Sequence, residues 1–180
     1  MEKEKSKKLI LLVDNSETQL SFFRINFTKA GYNVITANNA AEAFTKIFAN
    51  QPDIIISDLW MPENSGFQLC KIIKQNIILK HIPEILFTST VDINANGFWA
   101  QEAQADRFIS KNTEIKKVIE IVEQLIEENP INENIKIALS TNTDKAELIL
   151  KECCLISDSD WMKQCIAKEF ARLTCFLDTG

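Results

Sequence analysis

Five times before its composition changes, the chain sets a short apolar run ahead of a longer stretch whose apolar residues recur every three or four positions. The runs are Leu9 to Val13, Asn33 to Ala37, Asp53 to Ser57, Glu84 to Thr88 and Asp106 to Ile109. Three are near-continuous Val, Ile and Leu, the pattern of strands covered on both faces in a parallel sheet. Between them the spacing predicts helices. Ser16 is a candidate cap ahead of Leu20, Phe23 and Phe27 on one stripe, with Gly31 as the stop signal. Asn38 or Asn39 opens a second helix with Ala43, Ile47 and Phe48 inward, and Gly66 to Gln75 carries Leu69, Ile72 and Ile73. A fourth is expected over Asn94 to Ala103 despite Gly97 inside it. A fifth starts at Asn112 or Thr113 and presents Ile115, Val118, Ile119, Val122 and Ile126. This alternation predicts an α/β fold, a doubly wound five-stranded parallel sheet joined by right-handed crossovers.

After Ile126 the chain turns polar and meets Pro130, which puts a boundary there. The expected organisation is one domain over 1–128, a linker over 129–142 and a short helical extension over 143–180. Two amphipathic helices are expected in the extension, from about Asp144 to Leu155 and from about Asp158 to Leu177, the second with Met162, Ile166, Phe170, Leu173 and Leu177 on one face. About fifty residues are marginal for an independent core, so the tail is expected to pack on the first domain or to pair between subunits. A further domain can follow Asp178-Thr179-Gly180.

Composition removes several alternatives. The 180 residues carry 25 acidic and 20 basic side chains, a formal net charge of −5, so the field that would hold the chain to phosphate backbones or anionic lipid is missing. Residues 130–180 hold six basic and eight acidic side chains and no basic recognition helix, which disfavours direct DNA binding. No segment approaches the roughly 18 apolar residues of a membrane span, and Leu9 to Val13 is too short for a signal-peptide core, so the expected location is cytoplasmic. Five cysteines at irregular spacing with one distant His81 argue against zinc and for small apolar residues in a reducing compartment. His81, just before Ile82-Pro83, is expected to be exposed. Phe22, Phe23 and Phe27 are expected to pack in the core, and Phe98 and Trp99 to pack or to contact a second subunit.

The unusual polar residues fall where strands end. The first run leads into Asp14-Asn15, the third into Asp58, the fourth into Thr88-Ser89 and the fifth into Ser110-Lys111. In an open α/β sheet, ligands bind beyond the carboxyl ends of the strands. Residues distant in the chain thus converge on one rim. Each alone has a plain structural reading as turn residue, cap, strand former or surface charge. Together, clustered carboxylates call for a cation. Magnesium accepts a few carboxylates plus phosphate oxygens, and an amine can meet an anionic group. That combination describes phosphoryl chemistry with a carboxylate as nucleophile.

Leu11-Leu12-Val13-Asp14-Asn15, Asp53 to Pro62 with Gly66 after it, Phe87-Thr88-Ser89 and Ala105 to Lys111 together resemble the receiver domain of two-component response regulators, the CheY-like family, over about residues 8–128. The resemblance implies a flavodoxin-like sheet of order 2-1-3-4-5. It implies that Asp58 accepts a phosphoryl group from a histidine kinase or phosphotransfer protein. Asp14, Asn15, Asp58 and the Trp60 carbonyl would hold Mg2+, Thr88 and Lys111 would meet the phosphoryl oxygens, and Thr88 with Phe108 would form the switch. The surface of the fourth helix, fifth strand and fifth helix would dock a partner or a second copy.

Two positions depart from that family. Asn15 stands where a second carboxylate is usual, which removes a negative charge and lowers the expected magnesium affinity. Asn112 stands where a cis-proline is usual. A cis bond to another residue costs about 2.5–4 kcal/mol, so a trans loop and a less firmly aimed Lys111 are expected. The bulky Trp60 bears on water access to an acyl phosphate. Two rival functions follow: a pseudo-receiver that binds neither magnesium nor phosphoryl group productively because of Asn15 and Asn112, and a phosphatase using Asp58. The phosphatase is the weaker, since no second aspartate stands two residues after Asp58.

Overall fold

In the computed structural model, the described residues are 7–62, 65–89 and 102–130, with positions 160, 163, 164 and 167. The elements are β1 (Leu9–Val13), α1 (Glu17–Lys29), β2 (Asn33–Ala37), α2 (Ala40–Asn50), β3 (Ile54–Asp58), α3 (Ser65–Gln75), β4 (Glu84–Thr88), β5 (Arg107–Ser110) and α4 (Ile115–Glu128). The five strands form one parallel sheet in the order β2-β1-β3-β4-β5, as expected. The helix expected over Asn94 to Ala103, with Phe98 and Trp99, lies outside the described residues except for helical Glu102 and Ala103. The linker and helical extension lie outside them beyond residue 130, apart from the helical positions named above. Among the described residues no helix is long and apolar enough to cross a membrane.

The pleat sorts the sheet's residues between two cores. Leu11, Val13 and Ile55 face α2 and α3, where Phe44, Ile47, Leu69, Ile72 and Ile73 are buried against them. Ile10, Leu12, Ile54, Ile56, Ile85 and Phe87 face the opposite way, onto Leu20, Phe23 and Phe27 of α1 and Val118, Val122 and Leu125 of α4. This is why β1 is a continuous apolar run and β3 opens with three consecutive isoleucines: both parities are covered. Asp53 sets the start of that pair, its Oδ2 accepting from the Leu9 N–H at 2.7 Å and its Oδ1 from Lys8 at 3.2 Å.

Local signals explain most boundaries. Ser16 caps α1 by accepting from the Gln19 N–H, and Gly31 follows its end at φ +97. Asn39 caps α2 by accepting from the Glu42 N–H at 2.9 Å. Strands β3 and β5 each run one residue later than expected, and four further expectations need correction. Helix α4 starts at Ile115 after Glu114, with no side-chain cap, because Asn112 and Thr113 are held in a turn: their N–H groups donate to the Ser110 hydroxyl and carbonyl at 3.2 and 2.9 Å. Phe22 is half exposed, a residue off the Leu20–Phe23–Phe27 stripe, and meets Phe23 edge-on at 5.2 Å. Phe48 is only partly buried, its inward place taken by Phe44. His81 is half-buried rather than exposed, its Nδ1 bonded to the Ile78 carbonyl.

Candidate functional site

The pleat that builds the second core also delivers the crevice. Asp14 continues the parity of Ile10 and Leu12 one step past β1, and Asp58 continues that of Ile54 and Ile56 at the end of β3. The register pairs Val13 with Ser57, so the two carboxylates emerge side by side on the α1 side of the sheet. A narrow recess between them is floored by Leu12, Leu20, Phe23, Ile56 and Phe87. Both are buried, Asp14 at 6% and Asp58 at 8% exposure, which places the pair below the surface yet at its opening.

Lys111 reaches both. Its Nζ lies 2.6 Å from Asp14 Oδ2 and 3.0 Å from Asp58 Oδ2. No described peptide bond is cis, so the Lys111–Asn112 bond is trans, and the side chain nonetheless spans the pair. The aim comes from the strand: the Lys111 N–H donates to the Thr88 carbonyl at 2.8 Å, extending the β4–β5 ladder by one rung before the turn held by Ser110. The remaining carboxylate oxygens are also oriented. Asp14 Oδ1 accepts from the Ser16 N–H at 2.8 Å, ahead of the α1 N-terminus, whose unsatisfied N–H groups favour negative charge. Asp58 Oδ1 accepts from the Trp60 N–H at 3.3 Å.

The other candidates sit around this centre. Asn15 is exposed beside Asp14, and Trp60 is partly exposed at the rim. Thr88 is buried at the end of β4, next to Phe87, the register partner of Asp58. Phe108 pairs with Leu86 across β4 and β5 and is partly buried against Leu59, Phe67, Cys70 and Leu86. Thr88 lies two residues beyond Leu86 on the same strand, so Thr88 and Phe108 are diagonal neighbours by parity.

One residue has a stronger part than its motif position suggested. A Cβ at Gly66 would stand 1.7 Å from the Asp58 carbonyl oxygen and 3.1 Å from that of Leu59. The first turn of α3 therefore presses directly on the backbone of Asp58, and only glycine permits that approach. A glycine in the opening turn of a helix, where propensity disfavours it, was the available signal.

Electrostatically the crevice is underbalanced, with two buried carboxylates against one ammonium. Burial raises the Asp58 carboxyl above its ordinary range and the Asp14 charge adds to this, while the Lys111 bond and charge and the Trp60 N–H pull it back. The nearby donors, Asp14, Asp58, the Asn15 amide and the Trp60 carbonyl, are all hard oxygens. That set suits magnesium, which needs one or two carboxylates alongside phosphate oxygens, and the surplus negative charge suits any cation. Among the described residues no cluster of three His, Cys, Asp or Glu side chains could hold a metal, so the carboxylate share of this site stops at two.

Comparison with known proteins identifies the family to which the fold belongs. The family model described as "Response regulator receiver domain" matches residues 10–123. The chain is 38% identical over 114 residues to "Histidine kinase P4" of Formosa agariphila, a match spanning 63% of this chain but only 8% of that protein. It is 27% identical over 119 residues to the polar-differentiation response regulator DivK of Brucella anthropi, covering 66% of this chain and 96% of DivK. The solved receiver domain of a signal transduction histidine kinase from Syntrophus aciditrophicus superposes with a TM-score of 0.64 at 31% identity, covering 69% of this chain and 94% of that one. With that family model spanning more than half its length, on a sheet of this order, the chain belongs to the response regulator receiver domains of two-component signalling.

Proposed function

We propose that Asp58 is the phosphoacceptor and that the chain switches a protein-interaction surface when it is phosphorylated by a histidine kinase or a phosphotransfer protein. The observation that carries this reading is the convergence of Asp14, Asp58 and Lys111, with one ammonium 2.6 and 3.0 Å from two buried carboxylates. A carboxylate oxygen of Asp58 forms the new O–P bond as the P–N bond of the donor phosphohistidine breaks, the electron pair returning to the imidazole nitrogen. Lys111 leaves its bridging position to meet the phosphoryl oxygens, and the Trp60 N–H and the α1 N-terminus hold the two carboxylates in place meanwhile. Asp14, Asp58, the Asn15 amide and the Trp60 carbonyl would hold Mg2+, which would supply charge neutralisation at this crevice. Addition of nearly two negative charges draws Thr88 in the same direction, and the space it leaves on its pleat face admits the Phe108 ring.

On this reading, the domain over 1–128 is followed by a linker over 129–142 and a helical extension over 143–180. It acts in the cytoplasm without direct contact to DNA or membrane, and the fifth-strand face is the place for a second copy. The decisive experiment is labelling with acetyl phosphate and magnesium: the native chain becomes phosphorylated and Asp58→Asn does not. Labelling of Asp58→Asn at the native level overturns the assignment. The pseudo-receiver reading is favoured by one observation, the absence of a third carboxylate among the described residues. It predicts no labelling of the native chain and no change of Trp60 fluorescence with magnesium.

A further inference from the structure

A second polar cluster lies at the opposite end of the sheet, where β4 and β5 begin. Glu84 is fully buried, and neither of its carboxyl oxygens has a hydrogen-bond partner among the described residues. Its parity is that of Leu86, which turns it towards α3. From α3 it is faced by the Cys70 thiol and the Lys74 ammonium, and from the start of β5 by the Asp106 carboxylate. Its register partner on β3 is Ile55, so that strand offers it no titratable group.

Lys74 is near but already committed. Its three donors are drawn by the Ile82 carbonyl at 2.8 Å, the Lys80 carbonyl at 3.4 Å and the Asp106 carboxylate. Asp106 in turn ties the two strand roots together. Its Oδ2 accepts the Glu84 N–H at 2.7 Å, while its own N–H donates to the Glu84 carbonyl at 3.0 Å. Cys70, also fully buried, points its thiol at the Ala103 carbonyl at 3.6 Å and is a weak donor in any case. A charged Glu84 would therefore sit fully buried beside a neighbouring carboxylate and a cation whose donors are spent. Such a group takes up a proton rather than stay ionised.

We propose that the folded domain carries Glu84 as the neutral acid, and that loss of this proton opens the corner between α3, β4 and β5, making it a proton-sensitive latch on the strand that ends in Thr88. Burial is the main cause of the raised affinity, with the Asp106 charge adding to it and the Lys74 charge opposing it, and the carboxyl is pushed up to about 8. The latch stands on this corner's own geometry and holds whether or not Asp58 is phosphorylated.

The test reads Cys70, which the latch conceals. N-ethylmaleimide modification of Cys70 in the full chain, followed by peptide mass spectrometry, is measured from pH 5 to 8 and divided by the rate in urea at the same pH, which cancels thiolate formation. Opening releases one proton, so protection of Cys70 is expected to fall about tenfold per pH unit over this range and to level off above it. In Glu84→Gln the protection is expected to lose most of that slope. Equal slopes in the two proteins, or a flat profile in the native chain, overturn the proposal. A readout that needs no variant is the infrared carbonyl band of a protonated carboxylic acid. It is expected to be present in the native chain at pH 6 and to titrate near pH 8, and a band absent at pH 6 overturns the proposal as well.

Discussion

Replacing Lys111 with Met tests the electrostatics of the crevice more directly than any other change. Methionine keeps the length of the side chain and removes the ammonium that lies 2.6 Å from Asp14 and 3.0 Å from Asp58. At an effective dielectric of about 20, each contact represents about 6 kcal/mol of gross attraction, far more than the net stability it leaves after desolvation. Breaking a buried pair by deleting one partner costs about 3–5 kcal/mol. The variant has an escape, because one carboxyl can take up a proton. At pH 7 that costs about 1.36 kcal/mol for each unit above an unfolded pKa near 3.9, or about 4 kcal/mol, and this sets the ceiling.

The ceiling moves with pH, and the sign follows from linkage. Asp58 is already raised in the native fold, first by burial, and losing Lys111 raises it further. A carboxyl with a raised folded pKa carries no penalty below its unfolded pKa, where both states are protonated. Its penalty then grows as pH climbs towards the folded value. The destabilisation by Lys111→Met is therefore expected to be about 3–4 kcal/mol at pH 7 and to shrink to about 1.5 kcal/mol at pH 5. Urea unfolding of the two proteins at both pH values measures it, and millimolar Mg2+ is expected to return part of the loss at pH 7. A loss of equal size at both pH values, or a variant more stable than the native chain, would refute the view of the crevice as two buried carboxylates held by one cation.

Other positions give sharper structural tests. Gly66→Ala drives a methyl to within 1.7 Å of the Asp58 carbonyl oxygen, so α3 must shift; a loss of at least about 2 kcal/mol by thermal unfolding is expected, and an unchanged melting curve would refute that close approach. Phe27→Ala empties a fully buried site beneath α1 and is expected to lower stability by about 3–5 kcal/mol in urea. Asn39→Ala removes the 2.9 Å cap of α2 and is expected to cost about 1 kcal/mol by the same measurement.

The strands were legible because burial on both faces leaves an unusual trace, a run of Val, Ile and Leu without alternation. The bounds expected for β1, β2 and β4 are those observed, and β3 and β5 are displaced by one residue, because Asp53 and Asp106 are spent as side-chain anchors at the strand starts and the ladders run on to Asp58 and Ser110. The first turn of α4 was misread for a physical reason: Asn112 and Thr113 have the composition of caps, but their N–H groups are already taken by Ser110. Phe22 was misplaced because an aromatic pair looks like core from sequence, while a helix can turn only one of two adjacent residues inward.

The crevice was readable for a reason that does not extend to the rest of the polar interior. A parallel sheet collects its strand ends on one rim, so a polar residue just after an apolar run declares its position in space without any contact being known. Polar residues at the other ends of the strands carry no such flag. Glu84 and Asp106 open their strands and look like ordinary solvated charges, and Lys74 looks like the exposed side of an amphipathic helix. Their burial depends on α3 lying across the roots of β4 and β5, with Lys74 reaching the Lys80 and Ile82 carbonyls just beyond its own helix and the Asp106 carboxylate, which is distant in the chain. The same distinction explains Lys111: its place after β5 followed from strand order, whereas its choice of both carboxylates at once depended on a 2.8 Å bond from its own N–H to Thr88. What a sequence states openly is which residues share an edge of the sheet; how a charge divides itself among the neighbours it meets there is decided by single hydrogen bonds of the backbone.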